Sequence, residues 1–169
     1  MVNVVRDRVV PEVFLADVFA RPADVLDADR SVQVQATIDA AVVPAGPVTV
    51  TAEILDGARR LASATVTVPV IATGQTVAQL SVTDLGDVEL WSPETPCLYT
   101  VRTRLEPPGA PPHEFEVRTG FREAVFRLDG FYLNGTRRQI FGLNRHQLFP
   151  YTGMAAPARL QRPGCRDPP

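Results

Sequence analysis

Ser31-Val32-Gln33-Val34-Gln35-Ala36-Thr37-Ile38 alternates without a break, with Val32, Val34, Ala36 and Ile38 on one face and Gln33, Gln35 and Thr37 on the other. A period of two marks a strand with one side in an apolar core and the other in water. Outward from this segment the pattern repeats. Val48, Val50, Ala52 and Ile54 form a second set, Asp56-Gly57 supplies a turn, and Ala62, Ala64, Val66 and Val68 follow, which predicts a hairpin. Further sets stand at Ala78, Leu80 and Val82, at Tyr99, Val101 and Leu105, and at Phe115, Val117 and Thr119, and Val13 to Phe19 suits an earlier strand. About seven short strands between turn-rich stretches, with no helical period, predict an all-β chain built as an antiparallel β-sandwich of immunoglobulin type. The Cys…Trp…Cys pin of antibody domains is missing, since Trp91 precedes Cys97 and the other cysteine is Cys165.

After Gly120 the texture changes. Val125 to Leu128, a turn at Asp129-Gly130, Phe131 to Leu133, a turn at Asn134-Gly135, and Gln139 to Leu143 predict two successive hairpins. The last of these strands runs into Asn144-Arg145-His146. From Pro150 onward no period is visible, and Arg162 to Pro169 has the composition of a disordered tail.

The chain has 169 residues, of which 45% are hydrophobic and 21% charged, enough to bury a core. Its net charge of −2 and pI of 5.7, with acids and bases interspersed, argue against a nucleic-acid partner. No run approaches the roughly 20 apolar residues that cross a bilayer. Met1 to Val10 carries charges where a signal peptide has its apolar run, so the expectation is a soluble cytoplasmic protein without a membrane partner. Cys97 and Cys165 have no Cys or His neighbours at metal-ligand spacing, which predicts free thiols and no metal site. All 17 basic residues are Arg, as a GC-rich gene would encode.

Asn144-Arg145-His146-Gln147 is the one dense polar cluster, held between Ile140-Phe141 and Leu148-Phe149-Pro150. Four hydrogen-bonding side chains at the end of an apolar strand suit the lip of a site, and equally a polar strand end that caps backbone groups. Trp91 could stack on a sugar, but beside Leu90 it reads better as an anchor in a core or at a domain junction.

Four segments in order carry a resemblance: Leu90-Trp91-Ser92-Pro93-Glu94-Thr95-Pro96-Cys97-Leu98-Tyr99, Thr119-Gly120-Phe121-Arg122-Glu123, Phe131-Tyr132-Leu133-Asn134-Gly135 and Phe141-Gly142-Leu143-Asn144-Arg145-His146. Together they resemble glycoside hydrolase family 2, which includes the β-galactosidases and β-glucuronidases, over about Val10 to Arg162. The resemblance implies a jelly-roll domain upstream, an immunoglobulin-like sandwich, and a (β/α)₈ barrel that bears two catalytic glutamates. On that reading residues 1–8 are a linker from the upstream domain, 9–124 the sandwich, 125–161 the approach to the barrel, and 162–169 a tail. Ile140 to Arg145 would be the first barrel strand, standing alone. Barrel active sites lie at the C-terminal ends of strands, which makes Asn144, Arg145 and His146 candidate sugar contacts in a complete enzyme. Gln147 departs from the family, where Glu often follows the His.

Retaining glycosidases need two carboxylates about 5 Å apart. Glu114 and Glu116 share a strand face but read as ordinary solvated residues, and Glu89, Glu94 and Glu123 have no distinguishing context. No catalytic residue is therefore assigned, and the chain alone is expected to be inactive. No cofactor is expected in it either. Family enzymes often use magnesium and sodium, through residues this sequence does not contain. The leading reading is the architectural domain of a truncated β-galactosidase acting on terminal β-D-galactosides. Its rivals are a free-standing immunoglobulin-like module that binds carbohydrate or protein, and a fragment that complements a separately encoded remainder.

A full barrel takes about 250 residues, so only its start fits within this length. The tail is expected to be a frameshift product, because a GC-rich coding of Arg162 to Pro169 becomes Arg-Arg-Asp-Ala-Glu-Ile-Leu on loss of a single base, similar to the start of the family's first barrel helix. Sequencing the locus tests this expectation, which fails if no single-base shift near the Arg162 codon restores a barrel-like frame.

Overall fold

The computed structural model describes residues 9–142, of which 9–139 belong to one compact unit. The strands run β1 (Val13–Ala23), β2 (Ser31–Ala40), β3 (Val48–Asp56), β4 (Arg59–Val68), β5 (Gly74–Val82), β6 (Tyr99–Glu106), β7 (His113–Thr119), β8 (Ala124–Arg127), β9 (Gly130–Leu133) and β10 (Thr136–Arg138). No helix occurs among the described residues, and none is long and apolar enough to cross a membrane.

The first seven strands form two antiparallel sheets, ordered β1-β2-β5 and β4-β3-β6-β7. Their inward residues are those of the alternating sets: Val32, Val34, Ala36 and Ile38 from β2, Val48, Val50, Ala52 and Ile54 from β3, and Val101 and Leu105 from β6 are all buried. This is the expected immunoglobulin-like sandwich. In immunoglobulin constant domains the fourth strand joins the first sheet. Here β4 stays beside β3, because Asp56 pairs with Arg59 across a two-residue loop in which Gly57 has φ +57°. So tight a connection leaves the chain no length to cross to the other sheet.

The sheets are closed along one side by β1 and β7. The Leu15 N–H donates to His113 Nδ1 at 3.1 Å, and the His113 ring meets Phe14 edge-on at 6.0 Å. The hydrogen bond falls where β1 slips register between Leu15 and Asp17, so a side chain serves an N–H at an interrupted ladder. In the same core, Thr103 of β6 is fully buried and its hydroxyl has no partner among the described residues.

β8, β9 and β10 form a separate small sheet, ordered β10-β9-β8. Its first turn lies at Leu128-Asp129, one residue earlier than the Asp129-Gly130 expected from sequence. The pairing of Phe126 with Phe131, whose rings are 5.0 Å apart, sets that register, and the Tyr132 hydroxyl donates to Asp129 at 2.6 Å across the turn. The second turn is Asn134-Gly135, with φ of +51° and +74°, which suits a primed two-residue hairpin. Leu133 therefore pairs with Thr136, and β10 ends at Arg138 opposite Phe131. The strand expected over Gln139 to Leu143 begins earlier and is over before Gln139. Residues 139–142 carry no strand, and the rest of the proposed barrel strand lies outside the described residues, as do the 1–8 segment and the 162–169 tail.

Replacing Ile54 with Ala should lower the unfolding free energy by about 2–5 kcal/mol, through lost burial and an unfilled cavity. Thr103→Val should raise it by about 1 kcal/mol, because the valine keeps the shape and removes an unpaired hydroxyl. Urea denaturation measures both, and an unchanged or lower midpoint for Thr103→Val would show that the hydroxyl has a partner.

Candidate functional site

Three of the four motif segments converge at one end of the sandwich. After β5 the chain runs to Leu90, which bridges in parallel with Phe121, and the Trp91 N–H donates to the Phe121 carbonyl at 2.8 Å. Gly120 makes this approach possible. A Cβ there would stand 2.9 Å from the Trp91 Cβ and 3.0 Å from the indole ring, so any larger residue would push the tryptophan away. Phe121 is fully buried and meets the Tyr99 ring edge-on at 5.0 Å. Tyr99 opens β6, and its hydroxyl accepts the Glu89 N–H at 2.8 Å. A tyrosine at the start of this strand, tied back to the preceding backbone, is a recurrent corner of immunoglobulin-like sandwiches. Burial pushes the Tyr99 hydroxyl above the usual tyrosine range, against the smaller opposing effect of the Glu89 hydrogen bond.

Asn134 binds the small sheet to this end. Its backbone N–H donates to the Glu123 carbonyl at 2.9 Å, its Oδ1 accepts the Glu123 N–H at 3.0 Å, and its Nδ2 donates to the Trp91 carbonyl at 3.0 Å. Asparagine suits the place twice over: it tolerates the left-handed conformation of the turn, and its amide offers a donor and an acceptor together. Above the clamp, the Arg122 guanidinium lies 4.9 Å from the centre of the Trp91 ring. Arg138 reaches across to Glu94 at 3.0 and 3.4 Å. The Glu94 carboxyl is held below its ordinary range by a backbone N–H first, then by the Ser92 hydroxyl, with Arg138 adding to the effect.

The carboxylates of β7 are occupied in ion pairs. Glu114 and Glu116 stand on the outer face of β7, where Glu114 pairs with Arg104 at 3.1 Å and Glu116 with Arg102 at 2.7 Å. Exposed ion pairs on an open sheet provide neither the apolar pocket that keeps an acid protonated nor a cleft that holds a sugar. Trp91 is a junction anchor, half-buried between Gly120 and Arg122. Cys97 is a half-buried free thiol, and Cys165 lies outside the described residues. Asn144, Arg145 and His146, with Gln147, also lie outside them. The sequence shows Asn134-Gly135 as a turn and Tyr99 as the head of a strand, both within segments that resemble the family, without revealing the contacts that they make. A polar residue at the φ-positive position of a turn, and a tyrosine at the head of an alternating strand, were the available signals.

A family model described as "Glycosyl hydrolases family 2" matches residues 13–122. The chain is 42% identical over 85 residues to a β-galactosidase of Thermoanaerobacterium thermosulfurigenes, a match covering 50% of this chain and 12% of that protein. It is 39% identical over 93 residues to a β-galactosidase of Rhizobium meliloti, covering 48% of this chain and 11% of that protein. Among solved structures, a β-glucuronidase of Bacteroides uniformis shares the fold with a TM-score of 0.74 at 23% identity, over 92% of this chain and 20% of that one. A β-glucuronidase of Parabacteroides merdae does so with a TM-score of 0.66 at 22% identity, over 90% and 19%. The chain thus spans a small part of each relative's length.

Asn134→Ala should lower stability by about 2 kcal/mol, from two lost side-chain hydrogen bonds and a left-handed backbone without its asparagine. Hydrogen exchange should show the Glu123 amide losing protection while the core amides of β3 and β6 keep theirs. Equal loss everywhere would mean that Asn134 supports the whole sandwich and not the junction alone.

Proposed function

The chain belongs to glycosyl hydrolases family 2, and from that premise we propose that it forms the immunoglobulin-like domain of a β-galactosidase and that its task is architectural. The observation that carries the proposal is the clamp of Trp91, Gly120 and Asn134. It is built from three of the motif segments that resemble the family: Trp91 and Gly120 close the end of the sandwich, and Asn134 holds the small sheet against it. Such a clamp fixes the direction in which the chain leaves the domain. On this reading the sandwich sits between an upstream jelly-roll domain and a catalytic barrel and holds the two in register.

Hydrolysis of a terminal β-D-galactoside by double displacement would fall to carboxylates supplied by the barrel. This chain's contribution to the sugar would come from Asn144, Arg145 and His146, at the C-terminal end of the first barrel strand. In the same proposal, magnesium or sodium would be held by residues of the complete enzyme that this sequence does not contain. A cytoplasmic setting is part of it as well, and there the free thiol of Cys97 stays reduced.

Purified chain should not turn over an aryl β-galactoside. Turnover that disappears on Glu114→Gln or Glu116→Gln would overturn the architectural role. In an enzyme rebuilt by fusing this chain to the jelly-roll and barrel domains of a related β-galactosidase, His146→Ala should lower kcat/KM by more than about tenfold, as loss of a transition-state contact does. Unchanged kinetics would remove His146 from the sugar site.

A further inference from the structure

The two outer faces of the sandwich have opposite chemistry. On the four-stranded sheet most of the long polar side chains, Arg118 excepted, pair with one another: Arg102 with Glu116, Arg104 with Glu106 and Glu114, Arg60 with Glu53, and Thr51 with Thr65. On the three-stranded sheet the register lines up Phe19, Gln35 and Gln79 in one row and Arg21, Gln33 and Ser81 in the next. Phe19 is 59% exposed, although it stands in the middle of a strand. Phe19, Arg21, Gln33, Gln35 and Gln79, with Val34 and Leu80, line an open cleft of about 480 Å³.

Within the cleft the hydrogen-bonding groups are largely unspent. Gln33 is already oriented, because its Nε2 donates to the hydroxyls of Ser31 and Ser81 at 3.1 and 2.9 Å, which leaves its carbonyl oxygen available. The amides of Gln35 and Gln79 and the guanidinium of Arg21 make no hydrogen bond or ion pair with any described residue. We propose that this face is a saccharide-binding surface separate from any catalytic site, with Phe19 as the stacking platform and Gln33, Gln35, Gln79 and Arg21 as the hydrogen-bonding groups.

The ligand class follows from the groups present. A pyranose has an apolar C–H face that lies on an aromatic ring, and a rim of hydroxyls that each donate and accept. Side-chain amides match that rim with one donor group and one acceptor apiece. A phosphorylated or polyanionic ligand would call for several cations, and the cleft has one. A protein partner would call for a central apolar cluster, whereas the exposed apolar side chains on this face are Phe19 and Val77, one row apart. The volume suits one or two sugar rings, since small-ligand sites run from roughly 300 to 1,000 Å³. Among polyhydroxylated ligands, the choice of a neutral galacto-oligosaccharide rests on the family 2 reading.

The test is amide-resolved NMR of the whole chain titrated with β-1,4-galactotetraose. Saturable shifts confined to residues around Phe19, Gln35 and Gln79 are expected. Phe19→Ala should weaken binding about tenfold, and Phe19→Trp should preserve or tighten it. Glu116→Gln, on the opposite face, should leave it unchanged. All three substitutions are exposed, and an unaltered urea midpoint confirms that each variant is folded. The proposal is overturned if no shift occurs up to about 50 mM sugar, if Phe19→Ala binds the sugar with unchanged affinity, or if the same resonances move with protein concentration alone, which would make the face a contact between copies of the chain. Binding here does not depend on hydrolysis. An inactive rebuilt enzyme with intact binding would sink the architectural reading alone, and an active one without binding would sink only this surface.

Discussion

Two sheets stacked about 10 Å apart keep water out only if every second residue on each strand is apolar and its partner across the gap fills the space it leaves. That constraint governs the molecule. It makes Val32, Val34, Ala36 and Ile38 face Val48, Val50, Ala52 and Ile54 with little room to vary, and it confines polar chemistry to the outer faces and the two ends. The exception is Thr103, a hydroxyl inside the core, and its isolation shows how completely the rest of the interior has been cleared of polar atoms.

The ends of a sandwich cannot be sealed by alternation, because strands stop there and leave backbone groups unpaired. At one end this protein closes the gap with Phe121 and Tyr99 ring against ring, and satisfies the backbone through Trp91, Glu89 and Glu123. Asn134 brings the small sheet into the same network. Sealing the core and attaching the next element are therefore one operation, and three of the four motif segments that resemble the family meet at this end. Among the described residues, these three segments build a joint.

The outer faces show a further division. Ion pairs such as Arg102 with Glu116 contribute little to stability on an exposed sheet. Their effect is to occupy most of the long polar side chains of that face, Arg118 excepted, and to discourage association with another sheet. The hydrogen bond and charge of Glu116 hold Arg102 in its charged form beyond the ordinary arginine range, so this face stays charged and self-paired. The amide-rich face has no such closure. Flat sheets with equal core demands can thus differ entirely in what they offer to solvent, because outward residues are free of the packing constraint.

The sequence by itself determined the alternation, hence the strands, the hairpin at Asp56-Gly57 and the sandwich, because the period of two is a local property that needs no knowledge of what lies across the gap. It also determined the family, since Trp91, Gly120-Phe121 and Asn134-Gly135 keep their order along the chain. Tertiary structure alone decided what those residues do. That Gly120 leaves space for an indole 29 residues earlier, that one amide holds both Glu123 and Trp91, and that Phe19 shares a row with Gln35 and Gln79 are matters of register and approach between distant segments. Register also moved the turn before Gly130 and ended β10 at Arg138, because a strand extends only as far as its neighbour offers partners. Local pattern specifies which face a side chain takes, and only the assembled sheets specify what it meets there.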